Sequence, residues 1–204
     1  MREKKVQTVY IVGKTLVSAG FMAIAIVHYF GTPDKSLVLL LPALAFCFCG
    51  DIALAFSDEL NNTKKGPQFT LGIGLFAVAH LLFCIELIRL IDFQFKPTVL
   101  FAVAAVVIVI INEKLGMLDY GPLRIPAYVY SFMVGGFCGL GINYILVCGT
   151  LAPVLMVGIG SFFFMISDLI LSFRCFCKTT PPKWITPVVL ATYYLATYMI
   201  ALSI

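Results

Sequence analysis

Charge is what this sequence has least of. Only 12% of its 204 residues are Asp, Glu, Lys or Arg, against about 25% in an ordinary soluble domain, and that deficit excludes a water-exposed globule. Histidine is nearly absent as well. Two residues, His28 and His80, cannot build the three-histidine zinc site of some membrane hydrolases. There is no Walker loop, no dinucleotide glycine fingerprint and no Gly-x-Ser-x-Gly elbow, which removes ATP-driven transport and the usual serine-hydrolase design. The seven cysteines are odd in number, and neither Cys-x-Cys pair has a second pair at zinc-site spacing. As small buried hydrophobes they need no further role.

Apolar runs fill the rest. Hydrophobic residues make up 61% of the chain, and the runs approach the ~20 residues that a bilayer-spanning helix needs. The pattern predicts an all-α, polytopic membrane bundle with seven spans, at 9–29, 36–56, 69–91, 97–112, 123–147, 151–173 and 184–204, the fourth being short. Brief polar connections such as Gly31-Thr32-Pro33-Asp34 and Asn61-Asn62-Thr63-Lys64-Lys65-Gly66-Pro67 separate them and leave no room for a soluble domain. The chain therefore reads as one integral-membrane domain over 1–204, because unpaired backbone groups exclude open sheets from lipid. Arg2-Glu3-Lys4-Lys5 before an apolar run resembles a secretory signal, but the run is long and holds Lys14, so it reads as an uncleaved span.

Basic residues set the orientation. With the N-terminus inside, ten lie at inner segments, including Arg2, Lys64, Lys114, Arg124, Arg174 and Lys183, and three, Lys35, Arg89 and Lys96, at outer ends. This predicts a cytoplasmic N-terminus and an outer C-terminus. The formal charge of +4 is explained by that collar and calls for no nucleic-acid partner.

Within this frame two aspartates stand out. Gly50-Asp51-Ile52-Ala53-Leu54-Ala55-Phe56 and Ser167-Asp168-Leu169-Ile170-Leu171-Ser172-Phe173 match as small-Asp-apolar-x-Leu-small-Phe. An ionised Asp at the centre of a membrane helix is unfavourable by roughly 2.5 to 3.5 kcal/mol, so a residue kept there marks a cavity or a partner. Both fall five residues before the inner end of their spans, ~8 Å inside the apolar boundary. Lys14 shares their level. Tyr128 and Tyr130 fall at similar depth, and His80, Tyr193 and Tyr194 lie nearer the middle. The two matched helices run the same way four spans apart, as a parallel internal duplication would place them.

Each member also has a plainer reading. Lys14 can snorkel to the interface, or pair with an Asp purely as packing. A lone histidine is most often a hydrogen-bonded core residue. Glu86, three residues before Arg89, suits a helix-surface ion pair and is not read as catalytic. Two aspartates and one lysine nevertheless leave a carboxyl without a counter-charge, and a protonated acid beside an ionised one is what acid–base chemistry needs.

Lys14, Gly50-Asp51-x-x-Leu54, Ala79-His80-Leu81-Leu82, Phe164-Met165-Ile166-Ser167-Asp168 and the Tyr193-Tyr194 helix, taken in order, resemble the YhhN-like family, which includes the lysoplasmalogenases. The resemblance implies a multi-pass hydrolase that cleaves the vinyl-ether bond of lysoplasmalogens, giving a fatty aldehyde and glycerophosphoethanolamine or glycerophosphocholine. It implies Asp51 and Asp168 as the catalytic carboxyls. The chain departs from the family in having Thr15 after the lysine instead of proline, Phe83 where tyrosine often follows His-Leu-Leu, and seven spans where eight are usual.

Vinyl-ether hydrolysis suits the same residues. Slow proton transfer to the β-carbon gives an oxocarbenium ion, water adds, and the hemiacetal collapses. One carboxylic acid supplies the proton, one carboxylate steadies the cation, and no metal or organic cofactor is required. On this reading Lys14 holds one Asp ionised or meets the lipid phosphate, while His80 and Tyr128 position water or the glycerol oxygen. The expected partners are a lysophospholipid and the surrounding lipids. A proton-coupled carrier and a non-enzymatic lipid-binding scaffold remain alternatives on the same residues.

Overall fold

The computed structural model describes residues 2–31, 37–60, 66–91 and 95–204. The helix-breaking residues at 32–34 and 61–65, with Lys35, Lys64 and Lys65, lie outside the described residues, as do the side chains of Arg2, Lys4 and Lys5. Among the described residues seven helices are long and apolar enough to cross a membrane. They are α1 (Arg2–Gly31), α2 (Leu40–Leu60), α3 (Pro67–Leu90), α4 (Phe95–Lys114), α5 (Arg124–Cys148), α6 (Ala152–Phe176) and α7 (Ile185–Leu202), with one 3₁₀ turn at Gly121–Leu123 ahead of α5.

The span count matches the apolar runs, but the ends do not coincide. Helix α2 continues to Leu60 and α6 to Phe176, four and three residues beyond the apolar runs. Polar residues such as Ser57 and Arg174 extend a helix without being hydrophobic, so hydropathy stops before the hydrogen bonding does. The extension puts Asp51 and Asp168 a further turn from their helix ends, and contacts bring Asp51 to the level of Tyr193 and Asp168 to that of His80. The fourth span, short by hydropathy, is a full 20-residue helix.

Helices α1, α2, α3, α5, α6 and α7 close a ring in that order, each packed on the next and α7 back on α1, while α4 packs outside on α5. At the ring's centre lie the buried side chains Phe76, His80, Phe83, Phe137, Phe164 and Tyr193. Their rings meet mostly edge to face, and Phe83 stacks on Phe137 at 4.7 Å, arrangements that add to the apolar burial.

Lipid tails are as apolar as leucine, so helices in a bilayer associate through close packing. Gly135 and Gly139, one turn apart on α5, bring the α4 backbone into contact. A Cβ at Gly139 would stand 2.6 Å from the Pro97 carbonyl oxygen, and one at Gly135 would collide with the Phe101 carbonyl oxygen. The next residue, Gly136, has open space at the same position. At the end where Lys114, Arg124, Arg174, Lys178 and Lys183 gather, here termed the basic end, the α4–α5 connection is sewn to the end of α6. Asp119 N–H donates to Phe176 O at 2.8 Å and Lys178 N–H to Met117 O at 3.2 Å. This pairing holds the buried Tyr120 ring against Phe176.

Gly135→Ala is expected to lower the thermal stability of the detergent-solubilised protein by about 1–3 kcal/mol, the range for overpacking. Gly136→Ala should be neutral or slightly stabilising. Equal effects at the two positions would show that α4 does not pack on α5 through this face.

Candidate active site

Asp51 and Asp168 sit in two different hydrogen-bonding environments. Asp51 is nearly inaccessible, at 2% exposure, and its ion pair and hydrogen bonds come from α1 and α7. Lys14 Nζ lies 3.3 Å from Oδ1, and Ser18 Oγ and Tyr193 OH each donate to Oδ2 at 2.7 Å. Ser18 follows Lys14 by one helical turn and so shares its face. Tyr194 OH reaches the Lys14 carbonyl oxygen at 3.2 Å and the Ser18 hydroxyl at 3.1 Å. The preceding Gly50 matters for packing. Any Cβ there would stand 2.8 Å from the Phe76 ring, so glycine lets α3 bring Phe76 against the carboxylate's own helix.

Asp168 accepts a 2.7 Å hydrogen bond from Tyr130 OH at Oδ2, and His80 Nε2 stands 3.7 Å from the same oxygen. His80 is wholly buried, edge-on to Phe164 at 4.6 Å and to Tyr130 at 5.5 Å. Its Nδ1 lies 2.8 Å from the Phe76 carbonyl oxygen. A carbonyl oxygen only accepts, so Nδ1 carries the hydrogen, and in the neutral ring Nε2 presents a lone pair toward Asp168. Nε2 has no hydrogen-bond partner of its own.

The two carboxyls interact electrostatically across a wall of aromatic rings. Tyr193, bonded to Asp51, packs on Phe164 at 5.4 Å and Phe76 at 5.8 Å, and Phe164 packs on His80. Only Asp168 faces open space. A cavity of about 470 Å³ lies between α3, α5 and α6 on the basic-end side of His80, and its lining includes Asp168, Tyr130, Ser131 and Ser172 among mainly apolar residues. Tyr120 and Phe176 line it toward the basic end. Its exposed lining residues are Thr70 and Gly74 of α3 and Ile125, Pro126 and Val129 of α5, so it opens sideways between two membrane-spanning helices.

Lys14, Tyr193 and Tyr194 thus gather around Asp51, and His80 around Asp168. Tyr128 joins neither group. Its hydroxyl donates to Glu113 Oε2, and Arg124 holds Oε1 of the same carboxylate at 2.7 Å. Tyr130, two residues on, takes the place beside Asp168. The sequence places Tyr130 at the right depth but assigns it no role, and it does not single out Ser18 at all, although the one-turn spacing from Lys14 is visible there. Glu86 pairs with Arg89 at 2.6 Å, but the carboxylate is fully buried and only the guanidinium is at the surface. Among the described residues no group of three His, Cys, Asp or Glu side chains could hold a metal ion.

A family model described as the YhhN family matches residues 9–204, and that range contains every residue of both carboxyl clusters. The chain belongs to the YhhN family. Searches of curated proteins and of solved structures each find no match. For this YhhN member, then, what each carboxyl can do rests on its surroundings. Asp51 has a cation, two hydroxyl donors and no access to the cavity, the setting of a held carboxylate. Asp168 has a tyrosine donor, an imidazole lone pair and the cavity in front of it, the setting of a group that exchanges a proton.

Lys14→Met is expected to destabilise the protein by about 3–5 kcal/mol, because it strands a buried carboxylate. Adding Asp51→Asn to that variant should recover most of the loss. Thermal unfolding in one detergent reads both, and a Lys14→Met protein as stable as its parent would show that Asp51 has no need of the ammonium.

Proposed function

We propose that this protein is a lysoplasmalogenase-type hydrolase, which cleaves the vinyl ether of a lysoplasmalogen to a fatty aldehyde and a glycerophospho-head group. The observation that carries the reading is Asp168, at the wall of a mainly apolar cavity that opens between α3 and α5, with Tyr130 beside it in that wall and His80 buried behind it. Membership of the YhhN family is consistent with it.

The chain of events uses only these side chains and water. Asp168, protonated, delivers its hydrogen to the β-carbon of the alkenyl group, whose π electrons form the new C–H bond. The charge moves to the oxocarbenium formed by the α-carbon and the ether oxygen. The Asp168 carboxylate left behind steadies that cation, and Asp51, held ionised by Lys14, adds its field through a low-dielectric wall. A water beside His80 attacks the α-carbon and gives a proton to Nε2. The hemiacetal then collapses as its hydroxyl gives up its proton, the carbon–oxygen bond to glycerol breaks, the glycerol oxygen takes up that proton, and the aldehyde forms. One water is consumed, and Asp168 recovers its proton from the imidazolium. Tyr130 orients the carboxyl.

The basic collar supports an orientation too. In this reading the N-terminus and the basic end lie at the cytoplasmic face, so substrate enters from the inner leaflet. A reporter fused after Ile204 should lie on the outer side, and one inserted near Lys64 inside. Finding both on one side would overturn this orientation.

Purified protein incubated with an alkenyl lysophospholipid should release free aldehyde. Its saturated alkyl-ether analogue should bind and survive, since it has no double bond to protonate. Asp168→Asn should lower turnover by roughly 10²- to 10⁴-fold, the usual worth of a positioned general acid, while Glu86→Gln stays near the parent rate. Asp51→Asn should also be severely impaired, and the double Asp variant little worse than either, because the pair acts as a unit. An Asp168→Asn protein that folds and still turns over normally would refute the mechanism, and movement of a solute into sealed vesicles without aldehyde release would favour a carrier.

A further inference from the structure

Next to the cavity, toward the basic end, lies a second recess of about 330 Å³ with a different chemistry. Two cationic side chains, Arg174 at the end of α6 and Lys183 just before α7, line it together with Ser57 and Thr186. Phe69 and Cys175 line both spaces, so the recess and the apolar cavity adjoin. Pro181 and Pro182 precede Lys183, and Ile185 N–H donates back to the Pro182 carbonyl oxygen at 3.1 Å. Two prolines with fixed φ and this turn set the backbone path that carries Lys183.

We infer that this recess is a phosphate subsite: Arg174 and Lys183 bind the phosphodiester of a single-chain lipid whose hydrocarbon chain occupies the adjoining cavity. The inference rests on the hydrolase reading for what happens at Asp168, but not for the binding itself. Spacing supports it. Arg174 follows Asp168 by six helical positions, ~9 Å along the axis. In an alkenyl lysophospholipid the carbon to be protonated is about seven bonds from phosphorus, ~8 Å when extended at ~1.2 Å of advance per bond. A phosphate in the recess therefore sets the double bond at the depth of the Asp168 carboxyl. Arginine supplies a planar fork and lysine a compact charge, a pair suited to a phosphodiester.

The subsite differs from the general positive collar by location. Lys178 belongs to the same end of the molecule and is exposed, as Lys183 is, but does not line the recess. It is the internal control.

Binding of a saturated alkyl-ether lysophospholipid, which is not cleaved, tests the subsite apart from turnover. The parent protein should bind it roughly tenfold to a hundredfold more tightly than the matching alkylglycerol without phosphate, the worth of a charge-assisted contact. Arg174→Gln and Lys183→Gln should remove most of that difference while leaving alkylglycerol binding unchanged. Arg174→Lys should recover part of it, and Lys178→Gln should behave as the parent. Inorganic phosphate should not displace the lipid at comparable concentration. Equal losses for both ligands or an equal effect of Lys178→Gln would overturn the subsite, and ready displacement by inorganic phosphate would overturn the lipid as its occupant in favour of free phosphate. Aldehyde release from the alkenyl lipid is scored separately, so its absence would sink the hydrolase reading and leave the binding result standing.

Discussion

Hydrocarbon offers no hydrogen bonds, so any carboxyl carried into a bilayer has to find its donors inside the protein. The organisation of this bundle follows from where Asp51 finds them. Lys14 and Ser18 come from α1 and Tyr193 from α7, helices at opposite ends of the sequence that are otherwise joined to the bundle mainly by apolar packing. Satisfying one buried charge therefore specifies which helices close the ring. Breaking such a pair from one side typically costs more than forming it contributes, and the register of α1 against α2 and α7 is correspondingly well defined.

The aromatic wall gives the two acids different surroundings. Phe76 takes part three times: its ring packs over Gly50 and against Tyr193, and its carbonyl oxygen sets the His80 tautomer. A single residue of α3 thereby positions a surface of the Asp51 side and orients the ring facing Asp168. Two chemically equal side chains are made unequal by this partition, one surrounded by donors and sealed, the other bonded once and open to a cavity. Paired carboxyls with contrasting environments are the usual basis for separate acid and electrostatic roles.

Much of this was legible in the sequence. The seven spans follow from apolar run length, and Lys14 and Asp51 are at one depth once the spans are drawn. Depth alone could not choose between Tyr128 and Tyr130. Residues two apart on a helix point to nearly opposite sides, and which side of α5 faces inward depends on the Gly135–Gly139 contact with α4, a tertiary fact. The sideways separation of the two carboxyls was hidden for a similar reason. Matching motifs on parallel helices specify level and direction but not azimuth, and here the azimuth puts an aromatic wall between them. Helix ends were also obscured, because Ser57 and Arg174 continue helices that hydropathy has already left.

The cavity's mouth lies between Thr70 and Gly74 on one side and Ile125, Pro126 and Val129 on the other. Since these residues belong to membrane-spanning helices, the solvent that meets the opening is the bilayer itself. A ligand arriving there is counted per lipid and not per litre. Occupancy would follow its mole fraction among neighbouring lipids, so adding inert phospholipid would dilute it at constant bulk concentration, and the two products of the proposed hydrolysis would part company by phase. On the proposed hydrolysis, an aldehyde with a long chain would stay in the leaflet and a water-soluble head group would depart from the surface.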